Sequence, residues 1–215
     1  MNSFETNSQP FDSPGQKGTT RRAFIAKTAG CTAGFALMSF PGIISEVFAA
    51  KADKSRDEIV KEVQEKAEKY MQIYGACSQG SFCALNEQFD LKGDNIIPGL
   101  KLFAGGITGR GETCGAVTGS LLALGLSFGA KDKKEYAMQS PSLKAGSEFF
   151  ERFTAEFGST RCSKVVEHQF GRPYDFQNPE DMKLFMEAAK TGKCNEVVKK
   201  AVSIAADIIM EDRRM

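Results

Sequence analysis

The chain is expected to fold as an all-α, compact multi-helix bundle with cysteines at the helix N-termini, arranged around a glycine-rich loop and a central helix. Three observations point there. Apolar residues recur at three- and four-residue spacing almost throughout, no stretch alternates like a strand, and glycines or capping residues punctuate each periodic run. The 215 residues are 41% apolar and 26% charged, which suits one globular domain with a sizeable core. Net charge is +1, and the first 50 residues carry four basic and three acidic residues, leaving 24 of each beyond them. So even a balance argues against nucleic acid as a partner, because phosphate binding needs a clustered basic surface.

Residues 1–50 read as a signal and 51–215 as the domain. The leader contains TTRRAFIAKTAG, then the apolar run AGCTAGFALMSF, Pro41 and the small-residue end VFAAKA. Arg21 and Arg22, followed by Phe24, Ile25 and Lys27, look like a twin-arginine export signal, which implies the twin-arginine translocase as a partner and a periplasmic or outer-membrane-face location. The alternatives are an ordinary secretory n-region or a membrane anchor. Cys31 falls inside this leader and is read as neither lipid anchor nor redox residue. Cleavage is placed after Ala49, Ala50 or Ala52. Substrates of this route commonly receive a metal or organic cofactor before export, which raises the expectation of one here.

The mature elements follow in order. Ser55 and Glu58 form a capping box for a helix over about 56–74, whose face carries Ile59, Val63, Ala67, Tyr70 and Tyr74. Gly75 ends it. A second helix runs from near Cys77 to Phe89, and a short one spans 96–103. Gly105, Gly106, Gly109 and Gly111 then make a loop able to take left-handed conformations, and it delivers Cys114 to the start of the central helix. Small residues at Gly115, Ala116, Gly119, Ser120 and Ala123 predict close neighbours and burial nearly all round. Ser140 and Pro141 start the next helix, with Phe149, Phe153 and Phe157 on one face, expected to be plain core packing. Gly158 ends it, Ser159 or Thr160 is expected to cap a helix with Cys162 in its first turn, Asn178 and Pro179 open another, Gly192 closes that one, and the last helix begins near Cys194.

The CGAVTG of Cys114 to Gly119 resembles the core of the C_GCAxxG_C_C family of redox-active proteins, and the rest of its signature can be followed in Cys77 of YGACSQ, Cys162 of FGSTRCSKVV and Cys194 of TGKCNEVVKKAV. The resemblance covers roughly 56–210. It implies redox activity of unestablished reaction. A related domain occurs in split-Soret cytochromes, which carry haem and are associated with an iron-sulfur centre. This chain has no CxxCH and a single histidine, His168, so covalent c-type haem is not expected.

Independently of that resemblance, Cys77, Cys114, Cys162 and Cys194 each fall within about one turn of an expected helix start, where the helix dipole and unsatisfied N–H groups favour thiolate. The expectation is that their sulfurs lie close together, each with a lowered pKa. Four thiolates would hold an iron-sulfur cluster for electron transfer, which leads the expectations for both cofactor and metal; zinc is a variant of it. Two other chemistries stay open. Pairs of cysteines could cycle as a thiol-disulfide oxidoreductase, or structural disulfides could brace a non-enzymatic helical binding module. The redox partner and any pairing of two chains are not specified by the sequence.

Cys83, six residues after Cys77, points to a different helical face and is expected in the core. GITGRGET at 106–113 nearly spells a phosphate-binding loop but has Glu112 in place of the essential lysine. Arg110 and Glu112 are candidates to tune Cys114, though a solvated fate is commoner. His168 is expected at the surface or hydrogen-bonded, and no paired-carboxylate, Ser/His/Asp or Cys/His arrangement is assigned a catalytic role.

Overall fold

A computed structural model describes residues 54–129 and 140–212, all within the compact unit Lys51–Met215; the expected signal, with Cys31, lies outside the described residues. The described residues form seven α-helices and one 3₁₀ helix, with no strand among them. In chain order these are α1 (Arg56–Tyr74), α2 (Cys77–Phe89), the 3₁₀ helix (Asp94–Phe103), α3 (Gly115–Phe128), α4 (Pro141–Phe157), α5 (Cys162–Phe170), α6 (Pro179–Ala189) and α7 (Lys193–Asp212).

Local chemistry accounts for most of the boundaries. The Ser55 hydroxyl accepts from the Glu58 N–H at 3.3 Å, and the Ser55 N–H donates to the Glu58 carboxylate at 2.8 Å, closing the expected capping box. Gly75, Gly158 and Gly171 end α1, α4 and α5 in the left-handed conformation, where a side chain would be strained. Asn178 accepts from the Glu180 and Asp181 N–H groups and Pro179 fills the first helical position of α6. The segment before the glycine loop is a tight 3₁₀ helix that starts two residues earlier than expected, with Pro98, which has no N–H, inside it.

α7 is a core helix, with Val198, Ala201, Val202, Ala205, Ala206 and Ile209 fully buried. It packs against α1, α2, α3 and α4. The expectation that α3 is buried nearly all round holds for one side only. Ala116, Val117, Ala123 and Leu124 are buried, whereas Leu122 and Leu126 are 37% and 44% exposed, because they lie on the side of the helix away from its packed neighbours. The phenylalanine face of α4 is core as expected: Phe149 and Phe153 are fully buried and their rings stack at 5.8 Å, with Phe157 at 4.7 Å from Phe153. Among the described residues no helix is long and apolar enough to cross a membrane.

Candidate redox centre

Five consecutive residues, Gly105 to Gly109, have positive φ, between 52° and 71°, and Gly111 has φ 71°. Glycine takes this conformation freely, but Ile107 and Thr108 are β-branched, so the loop stores strain at those two positions. The strain is held by a set of backbone bonds inside the loop. The N–H groups of Thr108, Gly109, Gly111 and Glu112 donate to the carbonyls of Leu102, Ala104, Gly105 and Gly106 at 2.7–3.1 Å. Those donors are therefore turned inward and used, which removes the nest of free N–H groups a phosphate would need.

The far side of the loop is stitched to the start of α5. Thr113 and Arg161 form an isolated antiparallel bridge, the Cys114 N–H donates to the Thr160 carbonyl at 2.9 Å, and the Cys162 and Ser163 N–H groups donate to the Glu112 and Gly111 carbonyls at 2.5 and 3.0 Å. This pairing sets Cys114 and Cys162 side by side. It also explains why neither Ser159 nor Thr160 caps α5: bridging draws Arg161 into an extended conformation, so the helix begins one residue later and Ser159 accepts from the Arg161 N–H instead. Gly106 makes the approach possible, since a Cβ there would meet the Cys162 Cβ at 2.6 Å.

A second close approach brings Cys77 in. A Cβ on Gly119 would stand 2.3 Å from the Ser78 carbonyl oxygen, and one on Gly115 would stand 3.2 Å from the Cys77 Cβ. The small-residue stripe of α3 thus carries the first turn of α2 against the first turn of α3. Ser78, fully buried, donates its hydroxyl to the Leu100 carbonyl at 2.7 Å and fixes the 3₁₀ helix to the same point. α7 contributes Cys194 as its second residue.

The four cysteines named from the sequence stand at helix starts, set as two neighbouring pairs. They form two hydrogen-bonded thiol pairs, Cys114 with Cys162 and Cys77 with Cys194, and Cys77 also feels the charges of Cys114 and Cys162. None is in a disulfide. Cys114 and Cys162 are buried, at 4% and 7% exposure, whereas Cys77 and Cys194 are half-buried. The expectation of uniformly lowered pKa values fails. The Cys162 thiol, hydrogen-bonded to Cys114, holds the Cys114 pKa below the ordinary thiol value against the cost of burial, helped by the Ala116 and Val117 N–H groups, which point at the sulfur without closing a full capping bond. Cys162 is pushed well up by its bond to Cys114 and by burial, and Cys77 by its bond to Cys194 and by burial. Neighbouring sulfurs cannot all ionise together, and the Cys162 thiol, with the Ala116 and Val117 N–H groups behind it, favours the thiolate at Cys114.

The other candidates lie apart. Cys83 is 3% exposed in the core, and burial pushes its pKa up to about 11. His168 is exposed on α5, its ring edge-on to Phe157 at 6.4 Å. Arg110 is exposed, and Glu112 forms a surface ion pair with Arg161 at 2.9 Å and not with a cysteine. The sequence reading did not anticipate a partly open cleft of about 550 Å³ beside the cysteines. Cys77 and Cys194 line it together with residues of α6, a helix whose periodicity was legible but whose docking position was not.

Four cysteines at helix starts of an all-α fold, beside a glycine-rich loop, are the features the structure offers for comparison. The family model described as "Putative redox-active protein (C_GCAxxG_C_C)" matches residues 74–208, more than half of the chain, and the chain belongs to that family. No curated protein and no solved structure matches it significantly.

Proposed function

We propose that this is an exported electron-transfer protein working through Cys77, Cys114, Cys162 and Cys194, whose thiols exchange electrons as two dithiol/disulfide pairs. The observation that carries the reading is the pairing itself: the Thr113–Arg161 bridge sets Cys114 beside Cys162, and Cys77 and Cys194 line one cleft together, each of the four from a separate helix start. Dithiol oxidation begins with a thiolate, and Cys114 is the cysteine whose surroundings favour one. Closing Cys114 onto Cys162 or Cys77 onto Cys194 releases two electrons and two protons per pair.

A second reading is favoured by the donor set. Four soft sulfur donors suit an iron-sulfur cluster, held by Cys77, Cys114, Cys162 and Cys194, and a bound cluster would supply one-electron transfer. The chemistry of the donors fits, but among the described residues no three His, Cys, Asp or Glu side chains converge as a ready ligand set, so the thiols would have to re-aim from their pairs. Iron, zinc and acid-labile sulfide analysis with a visible spectrum on anaerobically purified protein separates the two. Metal-free, colourless protein with four thiols lost reversibly on mild oxidation supports the dithiol reading; iron and sulfide that disappear in Cys114→Ser support the cluster.

Export rests on the Arg21–Arg22 motif with Phe24, Ile25 and Lys27. Replacing both arginines by lysine is expected to leave the protein in the cytoplasm, as read by cell fractionation; unchanged export would refute the twin-arginine route.

A further inference from the structure

The cleft of about 550 Å³ lies in the size range of small-molecule sites, and it opens on the two less buried cysteines of the centre, Cys77 and Cys194. Its wall from α6 and the preceding loop is apolar and partly aromatic: Phe176 and Phe185 pack at 5.1 Å, with Met182 and Met186 beside them. Among the described residues, its charged side chains are Lys101 and Lys190. Lys190 is paired with Glu187, while Lys101 donates to the Tyr74 carbonyl at 3.2 Å and pairs with no carboxylate among the described residues. With these two ammonium groups and no carboxylate among the described residues that line it, the cleft suits a ligand that presents acceptor oxygens rather than a cation.

We propose that this cleft is the docking site of the centre's small-molecule electron acceptor, a flat apolar ring bearing carbonyl oxygens, that is, a quinone. The ring lies against Phe176, Phe185 and the flexible thioether of Met186, and a carbonyl accepts from the Lys101 ammonium at the rim. This rests on the dithiol reading above. The step balances: Cys77 and Cys194 lose two electrons and two protons and form one S–S bond, and the quinone gains both to become the hydroquinone.

The test is equilibrium dialysis of the full reduced chain, under nitrogen, against 2,3-dimethyl-1,4-naphthoquinone, whose substituted ring carbons resist addition by thiols. The double variant Cys77→Ser, Cys114→Ser is used for the binding measurement, so that neither pair can close and the quinone is not consumed. The expected result is saturable binding, weakened about tenfold or more by Met186→Asp, which sets an unpaired carboxylate against the ring, and weakened also by Lys101→Gln. Leu184→Asp is the matched control, because Leu184 and Met186 share α6 with 51% and 57% exposure but only Met186 lines the cleft. Absence of saturable binding, or equal loss in Leu184→Asp and Met186→Asp, overturns the assignment, as does displacement of the quinone by oxidised glutathione at equal concentration. Redox is read separately on the protein with all its cysteines. Binding in this pattern without quinone-dependent loss of the Cys77 and Cys194 thiols sinks the dithiol reading and keeps the cleft; thiols that cycle with dithiothreitol in a protein that binds no quinone do the reverse.

Discussion

Gly106 and Cys162 face each other so closely that a Cβ on the glycine would stand 2.6 Å from the Cβ of the cysteine and 2.6 Å from the Glu112 backbone nitrogen. The glycine also has φ 70°. Gly106→Ala therefore combines left-handed strain of roughly 1–2 kcal/mol with overpacking of roughly 1–3 kcal/mol. Gly75, at φ 61° with nothing within 4 Å of its missing Cβ, isolates the first effect. Urea denaturation is expected to show a larger loss for Gly106→Ala than for Gly75→Ala. Equal losses would mean that the Gly106 contact does not constrain the Cys162 side of the centre.

Mild oxidation followed by peptide mapping should find Cys114 linked to Cys162 and Cys77 linked to Cys194, with Cys83 still a free thiol. The pairing follows from the hydrogen-bonded thiols, and the exclusion of Cys83 from its separate burial in the core. A Cys77–Cys83 disulfide as the main product would contradict the structure, since those two side chains leave α2 on different faces.

Cys83 also gives a pH dependence of known sign. Its pKa is about 11 in the folded protein, raised by burial and by the charges of Asp94 and Glu87. A free thiol in the unfolded chain titrates near ~8.5. Because the folded value is the higher, the contribution is fully present below the unfolded pKa and is lost as pH rises from there through about 11. The loss is on the order of 3 kcal/mol at the alkaline end. Urea midpoints of the reduced protein between pH 8 and 11 should fall more steeply for the native chain than for Cys83→Ala. Parallel slopes would show that Cys83 is not the titrating group.

Phe153 is fully buried between Phe149 and Phe157. Phe153→Ala should cost about 3–5 kcal/mol, the transfer of a large ring plus the cavity it leaves. Thermal or urea unfolding gives the number. A loss under about 1 kcal/mol would mean that α4 does not anchor the core, and Phe150→Ala, at a 39% exposed position of the same helix, provides the comparison.

Most helix boundaries were legible along the chain because their causes are local. Ser55 with Glu58, Ser140 with Pro141, Asn178 with Pro179, and the left-handed glycines Gly75 and Gly158 all act within a few residues of the helix end they define. The misreadings come from long-range events. Capping by Ser159 or Thr160 yielded to the bridge between Thr113 and Arg161, and α3 keeps an exposed side at Leu122 and Leu126 because its close approach to α2 follows Gly115 and Gly119 on another face.

The four cysteines were likewise identifiable as a set, since each stands at a helix start and helix starts are written locally. Which thiol partners which depends on contacts between residues 48 positions apart in one pair and 117 in the other, a matter of chain packing that no spacing encodes. Ionisation followed the same division. A helix N-terminus favours every thiolate near it, but once the chain folds the sulfurs bury and feel one another, so one pKa falls while those of Cys77 and Cys162 rise. The cleft beside Cys77 and Cys194 is lined by residues of α6, of the glycine loop and of the ends of α1 and the 3₁₀ helix, segments whose separate periodicities carry no information about what they enclose.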